Sequence, residues 1–150
     1  MKEADLGIFI ESATRFFDIN LGKGEIVVGQ PTLVSNAHET PFYEFTGVID
    51  ITGDKHGRIF FSAPLALIQR LLENMGETSI DDELIADLVG EIANSIAGNA
   101  RAHYGSGFNL STPKIFRDAP VQIDTGKARQ AYVVPLKWKD SGSSVAIWFE

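Results

Sequence analysis

The chain has 150 residues, 44% of them hydrophobic and 22% charged, with 13 Lys and Arg against 20 Asp and Glu for a formal net charge of -7, and no cysteine. That composition supplies a core for one domain over residues 1–150 and excludes a disordered linker, a disulfide scaffold, a thiolate metal site and a cysteine nucleophile. Singly scattered basic residues on an acidic chain argue against nucleic acid as a partner, and the lack of any apolar run near ~18 residues, with Glu3 and Asp5 at the start, predicts a cytoplasmic protein without a membrane span.

A helical period places Leu6, Phe9, Ile10, Ala13, Phe16 and Phe17 on one side of a first helix of about four turns, ending near Asn20 and Gly22. Residues 25–34 are β-like but interrupted by Gly29 and Pro31, which marks an edge or bulged strand, because proline has no N–H for a ladder. Residues 42–52 and 58–62 read as a hairpin around Gly53-Asp54-Lys55-His56-Gly57. Pro64 opens a short helix with the stripe Leu65, Ile68, Leu71 and Leu72, closing near Asn74 and Gly76. The longest periodic segment covers 80–104, with Ser79 or Asp81 as a cap and acids in its first turn, where the helix dipole favours them. Residues 109–116, 121–124, 130–138 and 145–149 read as strands, with turns at 124–127 and 140–143.

The two halves echo each other: helix, proline-interrupted strand, hairpin, then the same again. Gln30-Pro31-Thr32-Leu33-Val34 and Thr112-Pro113-Lys114-Ile115-Phe116 share the form x-Pro-polar-aliphatic-apolar, each after a helix and before a hairpin. Either two short edge strands are alike by coincidence, or the fold is a pseudo-duplicated antiparallel β-sheet with helices against one face, in the α+β class.

On the long helix, at roughly 100° per residue, Ile85, Leu88, Val89, Ile92 and Ile96 form the face to be buried. Opposite them Asp87, Glu91, Asn94, Gly98 and Arg101 stack into one ridge. Gly90, Ser95, Ala97 and Ala102 beside it are small, so a partner surface could approach closely. Gly90 and Gly98 each cost about 1 kcal/mol of helix propensity relative to alanine. A solvated polar face accounts for the charges, and two glycines beside an asparagine weaken that reading without displacing it, so spacing alone leaves both a solvated face and a functional site open.

At this ridge the chain resembles the chemotaxis phosphatases of the CheC/CheX/FliY family. Residues 83–100 are similar to their signature helix, in which an acid or serine, three residues, Glu, two residues and Asn correspond to Asp87, Glu91 and Asn94. Residues 110–115 resemble the strand that follows in CheX-like domains, and 47–53 with 57–59 their hairpin. The resemblance implies a phosphatase of the aspartyl phosphate of a CheY-like response regulator, working as a homodimer, with no cofactor of its own and Mg²⁺ held by the partner. Glu91/Asn94 is the only Glu-x-x-Asn in the chain, whereas the first helix offers Glu11-Ser12-Ala13-Thr14 without an amide, which points to one site per subunit and the CheX type.

Hydrolysis of an acyl phosphate needs a water held in line with phosphorus and charge stabilisation around it. A carboxamide accepts from the water through its oxygen and donates to a phosphoryl oxygen through its nitrogen, whereas a carboxylate there would repel the phosphate. Asn94 is therefore expected to orient the water and Glu91, as the resemblance implies, to meet a lysine of the regulator. Asp87 either extends that acidic contact or is simply solvated. Gly90, Gly98 and Arg101 complete the expected partner-binding surface. A non-catalytic docking module with the same fold is the rival reading. His38, His56 and His103 lie far apart without metal-ligand spacing.

Overall fold

In the computed structural model, which describes residues 3–34, 42–118 and 131–149, three helices lie against an eight-stranded antiparallel sheet. The helices are α1 (Glu3–Leu21), α2 (Leu65–Asn74) and α3 (Asp82–Tyr104). The strands are β1 (Ile26–Val28), β2 (Thr32–Val34), β3 (Phe45–Gly53), β4 (Gly57–Ala63), β5 (Phe108–Leu110), β6 (Lys114–Arg117), β7 (Ala131–Trp138) and β8 (Ser141–Phe149). The expected strand at 121–124, the turn at 124–127 and His38 lie outside the described residues.

The sheet runs β1-β7-β8-β4-β3-β5, with β2 also on β7 and β6 also on β3. Its symmetry bears out the echo. Hairpins β3–β4 and β7–β8 meet at the centre through β4 and β8, and each half lends its proline-interrupted strand to the other half's hairpin. Opposite β7, the step from Val28 to Thr32 spans only Leu136 to Val133; opposite β3, the step from Leu110 to Lys114 spans only Ile51 to Val48. Each edge thus carries a bulge of one extra residue beside its proline, Pro31 or Pro113, which splits each expected strand in two. The bulges are pinned alike, Gly29 N–H donating to Pro135 O at 2.8 Å and Ser111 N–H to Asp50 O at 3.0 Å.

Strand β8 begins at Ser141 rather than Val145, after a tight turn at Lys139-Asp140 in which Lys139 has φ 52°. The run Ser141-Gly142-Ser143-Ser144 carries turn-like composition, yet it is a strand interior, and a Cβ on Gly142 would fall 2.8 Å from Tyr43 Oη. Strand β8 is also flanked on both sides, by β7 and β4.

The apolar stripes of the helices close one core against the sheet, with Phe9, Phe17, Ile49, Ile59, Phe61, Ile68, Val89, Ile92 and Ile96 inaccessible to solvent. Helix α2 ends as its sequence suggests: Gly76 at φ 89° lets Glu77 N–H reach Leu72 O at 3.0 Å, a Schellman closure. Gly47 on β3 sets the depth of α3, since a Cβ there would lie 3.2 Å from Ala93 Cβ and 3.3 Å from Val89 Cγ1. The residue after Ala93 is Asn94.

Candidate functional site

Helix α3 starts where the acids predict. Asp81 is its N-cap, the carboxylate accepting from Leu84 N–H at 2.8 Å, with Asp82 and Glu83 in the first turn. It ends at Gly105, whose φ of 88° suits glycine and whose N–H donates to Arg101 O at 2.8 Å. Between these ends Ile85, Leu88, Val89, Ile92 and Ile96 are buried, and Asp87, Glu91, Asn94, Gly98 and Arg101 are all exposed. The ridge exists as its spacing predicts.

The β5–β6 edge runs beside this ridge and turns it into the wall of two grooves that meet at Asn94. The smaller, of about 330 Å³, is bordered by Asp87, Gly90, Glu91, Asn94, Pro113 and Ile115. The larger, of about 860 Å³, continues past Gly98 and Arg101 along Asn109, Ser111 and Thr112. Two arginines lace helix and edge together. Arg117 Nη1 lies 2.9 Å from Asp82 Oδ2 at one end, and Arg101 Nε donates to Phe108 O at 3.2 Å at the other. Ser111 fixes the intervening bulge, its hydroxyl accepting from Asp50 N–H at 2.9 Å and donating to Thr112 O at 3.0 Å.

Among the described residues the side chains of Glu91 and Asn94 make no hydrogen bond or ion pair within the chain. Their polar atoms, one turn apart on a rigid helix, face solvent where the grooves join. The two glycines differ. Gly90 is buried, and a Cβ there would touch Pro113 and Ile115 at 3.4 Å, so its smallness lets the β6 edge close on the helix. Gly98 has nothing within 4 Å of a Cβ position and leaves a bare patch between Asn94 and Arg101.

The ridge is electrically divided, with acids before Asn94 and Arg101 after it, in the order that the helix dipole favours. Tyr104, just beyond, donates to Asp5 of α1 and stacks on Phe108 at 4.9 Å. Burial, then the hydrogen bond and charge of Asp5, push its hydroxyl well above the usual tyrosine range. Among the described residues no three His, Cys, Asp or Glu side chains gather to hold a metal ion, and no helix is long and apolar enough to cross a membrane.

Of the six residues expected at the site, Asp87, Glu91, Asn94, Gly98 and Arg101 lie along one exposed surface, whereas Gly90 is buried against Pro113 and Ile115 and serves the packing of the β6 edge. The sequence reading missed the opposite wall: Asn109, Ser111, Thr112 and Pro113 reach the ridge only because β5–β6 returns alongside α3. The repeated x-Pro segment was the one signal for it, since it placed Pro113 at a bulged edge.

A family model of the chemotaxis phosphatase CheX matches residues 45–137. Comparison with curated proteins gives no match. The fold is similar to that of a CheC-like superfamily protein from Shewanella sp. PV-4, with 24% identity, 100% of this chain and 99% of that one covered, and a TM-score of 0.84. It is similar to the chemotaxis protein CheX from Desulfovibrio desulfuricans, with 24% identity, coverage of 98% and 99%, and a TM-score of 0.82. A third similar structure is the CheX–CheY complex with BeF3 and Mg²⁺ from Borrelia burgdorferi, with 20% identity, coverage of 97% and 97%, and a TM-score of 0.78. With the family match extending from β3 through most of β7, and with the exposed Glu-x-x-Asn ridge standing on the α3 that it includes, the chain belongs to the CheX family of chemotaxis phosphatases.

Proposed function

We propose that this protein dephosphorylates the aspartyl phosphate of a CheY-like receiver, with Asn94 and Glu91 as its working residues. The observation that carries the reading is the pair itself: an amide and a carboxylate one turn apart, unengaged within the described chain, exposed where two grooves meet. The Borrelia complex, in which a CheX is bound to CheY with BeF3 and Mg²⁺, supports the choice of partner.

In this mechanism the Asn94 carboxamide accepts from a water and donates to a phosphoryl oxygen, holding the water in line. The water oxygen bonds to phosphorus as the phosphorus–oxygen bond to the receiver's aspartate breaks, releasing a carboxylate and inorganic phosphate. Both protons of the water stay with the phosphate, which leaves as dihydrogen phosphate, since an amide is no base. Glu91 meets a lysine of the receiver, and Asp87, Gly90, Gly98 and Arg101 border the docked surface. The metal is the receiver's, and it neutralises charge on the phosphoryl oxygens. The subunits act as a homodimer whose contact leaves β8 in place, which sedimentation checks; a monomer at high concentration refutes it.

The test is a dephosphorylation time course on a phosphorylated receiver. Asn94→Ala should slow turnover at saturating receiver by ~10²-fold or more, about 2.7 kcal/mol of barrier, with docking intact. Full activity in that variant would overturn the role given to Asn94, and a native chain that binds the receiver without speeding its dephosphorylation would overturn the reading in favour of a docking module.

A further inference from the structure

The larger groove beyond Asn94 is not explained by water positioning, and its chemistry differs from that of the smaller one. Asp87 and Glu91 make the smaller groove acidic, whereas among the described residues Arg101 is the one charged side chain bordering the larger. Arg101 is also pre-set. Its Nε is held on Phe108 O at 3.2 Å, while its terminal nitrogens have no partner among the described residues. A guanidinium fixed at one edge offers the remaining donors as a fork, the geometry that grips a carboxylate through two parallel bonds. Gly98, bare of neighbours, opens the approach to it.

We propose that Arg101 is a recognition residue for a carboxylate on the docked receiver, and that the acidic and basic halves of the ridge together fix the receiver's orientation on α3. This rests on the phosphatase reading and adds to it a second anchor of opposite sign. Seven residues separate Asn94 from Arg101, a rise of ~10.5 Å along the helix. In this proposal the tethered guanidinium takes a surface acid of the receiver as its ligand and leaves the phosphoryl group to Asn94. A partner presenting a cation toward Glu91 and an anion toward Arg101 fits one way round. Reversed, it would set like charges against each other at both ends.

The experiment uses the full chain and a receiver loaded with beryllofluoride for affinity, or phosphorylated for turnover. Arg101→Glu should raise Kd and KM about tenfold or more while kcat holds, and Arg101→Gln should cost less. The gap between the two variants should narrow as salt rises, because it is electrostatic. Unchanged Kd in Arg101→Glu would overturn the inference, as would a loss confined to kcat. Equal losses in the Gln and Glu variants at every salt concentration would do the same, by reducing Arg101 to its bond with Phe108. The native chain and Asn94→Ala, run alongside, separate the two claims: no turnover by the native chain fails the phosphatase reading, and full turnover by Asn94→Ala fails the role of Asn94, whatever Arg101 does.

Discussion

Helices α1 and α3 hold equivalent places in the two halves, each followed by a bulged edge strand and a hairpin, yet only α3 carries the expected chemistry. Counted back from their closing glycines, Gly22 and Gly105, Gly90 corresponds to Gly7, Asn94 to Glu11 and Glu91 to Ile8. Both helices bury an apolar stripe and both lend an edge to the opposite hairpin, so the scaffold asks the same of each. Nothing in packing asks for an amide on an exposed ridge. Hydrophobic spacing is shared by the two halves because it builds the sheet; the Glu-x-x-Asn is not shared because it does no building.

Equal scaffolding roles can be tested first, where the effects are largest. Phe17→Ala on α1 and Ile96→Ala on α3, both at 0% exposure, should lower unfolding free energy by about 3–5 and about 2–5 kcal/mol, read by urea denaturation. A loss confined to one helix would break the parity. The functional difference comes next. Glu11→Asn added to Asn94→Ala should leave turnover at the level of Asn94→Ala alone, because Ile8 supplies no carboxylate one turn away and Glu11 borders a cleft between α1 and α3 instead of the β5–β6 grooves. Regained turnover would show that an amide at either half is enough. Asp81→Ala removes the side-chain cap of α3, and should cost about 1 kcal/mol in thermal or urea unfolding.

The smallest effect concerns the tie between the halves, Tyr104 to Asp5. Its hydroxyl keeps its proton in the folded chain at pH values where the unfolded chain, ionising near the ordinary 10.0, has lost it. The folded state then binds more protons, so stability falls as pH rises above that value and is unaffected near neutrality. Tyr104→Phe should flatten the alkaline limb of a stability profile; an unchanged limb would remove Tyr104 as its source.

Much of this was legible from spacing alone. The α3 stripe, its Asp81 cap, the Gly76 closure and the two proline-marked edges follow from local rules that depend on a few neighbouring residues. The edge exchange was not legible, because pairing of β1–β2 with β7 and of β5–β6 with β3 is decided across the chain. The groove wall was hidden for the same reason: Ser111 and Asn109 look like ordinary loop polars until β3 holds them beside α3. Strand β8 misled because Ser141-Gly142-Ser143 has the small polar composition of a turn, while Gly142 is needed beneath Tyr43.

The exchange of edges also decides what can be taken apart. Either half, made as a separate fragment cut in the link between α2 and α3, would present a hairpin missing its outer neighbour and a loose edge strand with nothing of its own to lie on. Each fragment carries the piece that the other lacks. The two would complete one another on mixing, and the groove beside Asn94 would open only then, since its far wall hangs from a strand of the first half. The residues expected to do the chemistry come from one half, but the place where they act belongs to both.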